Sequence, residues 1–207
     1  MLGREDQAAT GAHGAHLLPA IGRLMADAGL TFPQLDCLVC SMGPGSFTGL
    51  RVGMATLLGM RAATDVPLVL VPTLEAMVWS LRGLSGPICP VLPSRKDEIY
   101  WAVFRWRSDG LVERIVPEQV GSPGMLARTL TGSTTMLGEG WTMMEPAIRS
   151  ALAAGATVVS AAGDLSRPSA VTVGLAGIER LRRGEVARDP VAPLYVQRTE
   201  AEIRYEQ

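Results

Sequence analysis

The stretch Met42-Gly43-Pro44-Gly45-Ser46-Phe47-Thr48-Gly49-Leu50-Arg51 constrains this chain more than any other. It lies between an apolar run, Leu35 to Cys40, and a helical pattern from Thr48 to Ala63. That order predicts a strand, a glycine-rich turn and a helix start. Gly43 and Gly45 can take positive φ without steric cost, and Pro44 stiffens the turn. Ser46 or Thr48 can cap the first free N–H groups of the helix. Outward-pointing N–H groups in such a turn could receive an anion. A phosphate loop, however, needs Lys and then Ser or Thr after its last glycine, whereas Leu50 and Arg51 follow Gly49. The dinucleotide fingerprint fails on glycine spacing and on the missing acidic partner. The residues favour a tight structural turn.

The helix after the turn carries no charge from Val52 to Met60. Gly49, Gly53, Thr56 and Met60 follow one helical stripe, and Val52, Ala55, Gly59 and Ala62 another. Each glycine inside a helix costs roughly 1 kcal/mol against alanine. Glycines at 49, 53 and 59 therefore imply that another backbone comes close. Packing within the same domain and a helix-to-helix subunit interface both fit.

Hydrophobic residues make up 47% of the 207 and the mean hydropathy is +0.22, enough for a sizeable core and against wholesale disorder. The net charge of −1 gives no electrostatic footprint for nucleic acid. Lys96 is the single lysine, so the positive charge is almost all arginine. No signal pattern opens the chain and no apolar run reaches membrane-spanning length, so a cytoplasmic protein is expected. Cys37 and Cys40 have Cys-x-x-Cys spacing but lie in an apolar strand, and read as buried thiols.

Strands alternate with helices along the chain, which sets the class as α/β. Helices are predicted over Leu17–Ala28, Thr48–Ala63, Leu74–Arg82 from a Thr73 cap, Gly121–Leu130, Trp141–Ala154 and Ser169–Arg183. Strands are predicted over Leu35–Met42, Leu68–Val71, Ile88–Leu92, Ile99–Trp106, Leu111–Val116, Thr135–Gly138 and Thr157–Ser160, with a final extended segment at Ala192–Gln197.

Catalytic chemistry is sparse. His13 and His16 could share a helix face, but His-Glu-x-x-His is absent and no third ligand is near in sequence. Ser46 does not satisfy Gly-x-Ser-x-Gly, because Pro44 and Thr48 flank it. Arg95 and Glu98 read as a structural ion pair across a hairpin. Trp101, Phe104 and Trp106 read first as core packing. Stacking on RNA beside Arg105 and Arg107 is the alternative.

The run from Gly43 to Gly53 resembles the signature of the TsaB (YeaZ) family, accessory proteins of bacterial tRNA threonylcarbamoyladenosine (t6A) synthesis. Other segments agree in order. His16-Leu17-Leu18-Pro19 resembles the family's first helix start, and Val66 to Ala76 its next strand and helix. Arg95-Lys96-Asp97-Glu98-Ile99-Tyr100 resembles its hairpin, matched at Arg95, Glu98 and Tyr100. Pro193-Leu194-Tyr195-Val196-Gln197-Arg198 resembles its C-terminal motif. Pro93 departs from the pattern, standing where the family has an Asp, so any role of that Asp is lost.

The resemblance implies the actin-like ASKHA (ribonuclease H-like) fold in two lobes, residues 1–84 and 85–207. The first lobe would lack its N-terminal strands, roughly thirty residues on the short connections of such folds. Its strand Leu38–Met42 would then have an open edge, which we expect residues 1–12 or another chain to cover. The resemblance further implies a noncatalytic subunit without catalytic residues, metal or cofactor. It would dimerise with a TsaD-type catalytic subunit through Gly49, Leu50, Val52, Gly53, Thr56, Leu57 and Met60. Gly43, Pro44, Gly45, Ser46, Phe47, Thr48 and Arg51 would form the signature turn. A TsaE-type ATPase would be a further partner, tRNA would be met indirectly through the complex, and a homodimer is one option for the isolated chain. An M22-like glycoprotease and a nucleotide-binding ASKHA protein are the alternatives.

Overall fold

The computed structural model describes residues 1–6 and 13–196. Two sheets organise the chain. The first is a parallel pair, β1 (Leu38–Ser41) and β2 (Leu68–Val71), in register Leu38 opposite Leu68 through Ser41 opposite Val71. The helix α2 (Phe47–Thr64) makes the crossover between them. Period-two alternation sorts the side chains. Leu38, Cys40 and Leu68 face α2 and α1 (His13–Asp27), packing with Met60 and Ile21. Val69 and Val71 face the opposite way, toward α6 (Ala170–Arg182) at Val173 and Ala176. The approach of α6 is close: a Cβ on Gly177 would run into the side chain of Val39.

The second sheet has the order β5-β4-β3-β6-β7. Its strands are β3 (Pro87–Pro93), β4 (Ile99–Trp106), β5 (Val112–Gly121), β6 (Ser133–Leu137) and β7 (Thr157–Ser160). The meander β3-β4-β5 is antiparallel, and β6 and β7 join it in parallel. Helices α4 (Pro123–Thr129) and α5 (Glu139–Ser150) cover one face, packing Leu126, Trp141 and Ile148 with Ile99 and Trp101 of the sheet.

The other face rests on α3 (Thr73–Val78), and α3 ties the halves together. Leu74, Met77 and Val78 enter the core with Ile88, Ala102 and Phe104, while Ala76 enters the core of the first sheet. All six residues of α3 are buried. This wedge departs from the expected helix Leu74–Arg82. The α-helix stops at Val78 and a 3-10 turn, Trp79–Leu81, carries Trp79 edge-on against Trp106 at 5.2 Å. Nor does Thr73 cap it. Pro72 stands at the cap position, and the Thr73 hydroxyl lies 2.6 Å from that of Ser41.

After the second sheet the chain returns to the first. Beyond α6, Ala187 donates its N–H to the Leu68 carbonyl at 2.7 Å and Leu194 to the Met42 carbonyl at 2.7 Å. The expected extended segment is thus a strap hydrogen-bonded to the first sheet rather than a strand as far as Val196; Gln197 and Arg198 lie outside the described residues.

The free edge of β1 pairs with no strand among the described residues. Residues 1–6 bridge the layers on either side of that sheet. Glu5 pairs with Arg23 of α1, and Arg4 and Asp6 line a cleft of about 800 Å³ with Val171 and Thr172 of α6. The rest of the expected cover, residues 7–12, lies outside the described residues.

Candidate functional site

The signature turn is built by position. Gly43 has φ 112°, and a Cβ there would lie 2.8 Å from the Leu194 carbonyl oxygen and 3.1 Å from Cδ1 of Leu50. Only glycine combines that backbone with that approach. The Gly43–Pro44 peptide is cis. The Gly43 carbonyl accepts from the Thr73 N–H at 2.8 Å, so the turn is pinned to the start of α3. Of the two candidate caps, Ser46 is the one used: its Oγ accepts from the Gly49 N–H at 3.2 Å.

On α2, Gly53 and Gly59 face open space: a Cβ added at either would meet no described atom within 4 Å. Gly49 sees only its own cap, Ser46, at 3.4 Å. Close packing inside the domain therefore does not explain Gly53 and Gly59. Arg51, Ala55, Gly59 and Ala62 are exposed, and Val52, Gly53 and Thr56 half-buried. Met60 is turned into the core and Leu57 packs against the same cluster, so the outward face is narrower than the sequence stripe.

The structure brings two distant motifs together at the N-terminal end of this face. Arg51 Nε donates to the Tyr195 hydroxyl at 2.9 Å, across 144 residues. Its guanidinium carbon lies 3.8 Å from the Phe47 ring centroid. The Phe47 and Tyr195 centroids are 5.7 Å apart, and each residue keeps 43% of its surface exposed. At the other end of α2, Arg61 NH2 donates to both carboxylate oxygens of Asp189 at 2.6 and 2.7 Å. Sequence reasoning missed both pairings, because contacts across such separations leave no period to read.

The hairpin motif sits apart, on the second sheet. Arg95 is exposed and Glu98 half-buried, the Glu98 N–H donates to the Arg95 carbonyl at 3.1 Å, and Tyr100 packs beside Leu92 and Phe104. Trp101 and Phe104 are 1% and 0% exposed, which removes them as stacking platforms for RNA.

A cleft of about 350 Å³ opens between the turn and the second sheet. Its walls include Pro44, Leu50, Leu92, Pro93 and Pro168, and Glu139 is the only charged residue among the described ones that line it. A cleft that offers phosphates a carboxylate and no cation from these residues disfavours a polyphosphate ligand.

No group of three His, Cys, Asp or Glu side chains among the described residues is placed to hold a metal ion. His16 is exposed on α1. Cys37 and Cys40 turn to opposite faces of β1, toward separate cores, so their spacing makes no dithiol pair. Burial raises the Cys40 thiol pKa to about 11. Burial, with Asp36 as a lesser cause, also raises that of Cys37. No helix among the described residues is long and apolar enough to cross a membrane.

Fold and site define a mixed α/β protein of the actin-like ASKHA class, with an exposed helix face, uncharged from Val52 to Met60, beside the signature turn. Residues 7–205 match the family model for TsaD, tRNA N6-adenosine threonylcarbamoyltransferase, and the chain belongs to that family, as a protein of the TsaB type. It is 30% identical over 107 residues to the Bacillus subtilis tRNA threonylcarbamoyladenosine biosynthesis protein TsaB, covering 52% of this chain and 46% of that one. It is 26% identical over 201 residues to the Haemophilus influenzae protein of the same name, covering 89% and 79%. The match thus spans under half the length of the first relative and most of the second. YeaZ from Pseudomonas aeruginosa superposes with a TM-score of 0.76 at 21% identity, over 91% of this chain and 86% of that one.

Proposed function

We propose that this protein is a noncatalytic subunit of the machinery that transfers threonylcarbamoyl to N6 of adenosine 37 in tRNAs reading ANN codons. It acts by docking the exposed face of α2 onto a TsaD-type catalytic subunit. The observation behind this reading is the open space over Gly53 and Gly59. Two helical glycines that no described neighbour requires weaken a lone helix, and they make sense where a second helix comes close. Apolar burial supplies the association energy, over a contact of about 1,600 Å² for a stable pair. A TsaE-type ATPase joins the same assembly, tRNA is reached through it, and the isolated chain pairs with itself through the same face.

A peptidase reading has less behind it. The Ser46 hydroxyl, in the sharp turn between β1 and α2, is engaged as the α2 cap.

The test is Gly53→Leu, assayed by copurification with the TsaD-type protein and by tRNA modification with both present. Loss of copurification is expected with a melting midpoint that does not fall. Retained copurification would show that the helix is not the docking surface.

A further inference from the structure

We propose that Arg51 is the polar anchor of the docking face and that it receives a carboxylate from the partner subunit. This rests on the docking role of α2 and names the chemistry that the partner must bring.

Arg51 is held ready but has no acidic partner among the described residues. Its guanidinium lies over the Phe47 ring at 3.8 Å and its Nε is engaged by the Tyr195 hydroxyl at 2.9 Å. Among the described residues no carboxylate lies within ion-pair distance of it. The other arginine of α2 behaves differently: Arg61 is held by both oxygens of Asp189. Position sharpens the contrast. Arg51 stands near the N-terminal end of α2, whose first turn has no acidic residue. A cation there opposes the helix dipole, whereas Arg61 in the last turn is favoured by it. Among the described residues the guanidinium thus has no counter-charge, near the end of the helix whose dipole it opposes, with two exposed aromatic rings beside it. Both Nη groups remain outside these contacts and form the fork that matches a carboxylate.

The surroundings select protein over RNA. From Val52 to Met60 the helix has no charge, and the chain as a whole carries −1. A phosphate backbone is tracked by several cations, but a lone cation at the end of an apolar face suits one carboxylate within a desolvated contact. Arginine and aromatic residues in such a setting form the hot spots of interfaces. Restraint of Arg51 before binding lowers the ordering cost of the contact.

The test compares variants in binding to the intact TsaD-type subunit by calorimetry at low and high salt. Arg51→Met keeps the stem and removes the fork. It should weaken binding by on the order of tenfold to a hundredfold and flatten the salt dependence. Arg51→Lys should recover only part of the affinity, since it restores charge without the plane. Circular dichroism checks that each variant is folded, and Arg51→Gln serves as a second removal of charge. Parent affinity in both Arg51→Met and Arg51→Gln, with Gly53→Leu still blocking, would overturn the anchor and leave the docking face standing. Intact binding in Gly53→Leu as well would remove the docking face itself. If Arg51→Met left subunit binding unchanged and weakened binding to bare tRNA, a phosphate would be the ligand and the proposal would be wrong.

Discussion

Glu75 and Arg180, 105 residues apart, meet as a two-pronged ion pair, with Arg180 Nε 3.1 Å from Oε1 and NH2 2.8 Å from Oε2. Glu75 stands in the first turn of α3, two residues after the amide that pins the signature turn. Arg114 of β5 reaches the same carboxylate at 3.4 Å and Glu118 at 3.3 Å, so three elements share one charge cluster. Burial alone would lower the Arg180 pKa, but the hydrogen bonds and charge of Glu75, with Glu185 and Glu118, raise it overall. Glu75→Gln leaves Arg180 with 19% of its side chain exposed and its main counter-charge gone. Breaking a buried pair from one side costs about 3 kcal/mol. Chemical denaturation should show that loss. The double variant Glu75→Met/Arg180→Met should show clearly less than the two single losses combined.

The element that holds Glu75 also marks where sequence reading stopped. Strands β2, β4 and β7 have the predicted limits, since short apolar or alternating runs between turn residues leave little choice. Helix α2 differs by a residue at each end. Helix α3 could not be read well, because both its sides are buried and no polar face records a helical period. Strand β5 runs on to Gly121 through Pro117, beyond the expected Val116, because an edge strand tolerates a residue without an N–H. The glycine pattern of α2 was visible, but whether those glycines faced in or out was not. That depends on where α1 and the strap lie, which no local period encodes.

Gly53 and Gly177 should answer the same substitution in opposite ways. A methyl group on Gly53 meets nothing within 4 Å, and the residue sits inside a helix. Gly53→Ala should stabilise the isolated chain by about 0.5–1 kcal/mol, through helix propensity and a less flexible unfolded state. On Gly177 the methyl collides with Val39 beneath α6. Gly177→Ala should destabilise by about 1–3 kcal/mol as α6 is pushed off the sheet. Parallel thermal melts of the two variants check the pair, and a lower midpoint for Gly53→Ala would mean the helix packs more tightly than it does here.

The buried thiols give an alkaline limb to stability. Burial raises the Cys40 pKa from 9.0 to about 11. The folded state therefore keeps this proton where the unfolded chain has released it. The stabilising contribution is complete below pH 9.0 and is lost as pH rises through the window to about 11. Denaturation midpoints measured across that window should fall, and Cys40→Ala should flatten part of the slope. Alkylation at neutral pH should reach the half-buried Cys37 ahead of buried Cys40 and Cys89.

The strap from Ala187 to Leu194 should be able to loosen without the protein unfolding. Arg61 ties it to α2 twice, donating NH1 to the Ala187 carbonyl at 3.3 Å and pairing with Asp189, the two side chains of that pair being 22% and 72% exposed. An ion pair so open to water contributes on the order of 0.5 kcal/mol. For a chain of this size that moves the melting midpoint by roughly 2 °C or less. The local effect of Asp189→Asn should be larger. The strap is joined to the first sheet by single backbone bonds, from Ala187 to Leu68 and from Leu194 to Met42. With the Asp189 clamp weakened, the amides of Ala187 and Leu194 should exchange with solvent faster, while those of β1 and β2 stay protected. Tyr195 follows directly on Leu194 and holds Arg51 by its hydroxyl. Looser strap ends should therefore weaken partner binding through Arg51, although Asp189 lies at the far end of the helix. Unchanged exchange at both amides would show that the two backbone bonds, with the Arg61 bond to the Ala187 carbonyl, hold the strap and that Asp189 is only surface charge.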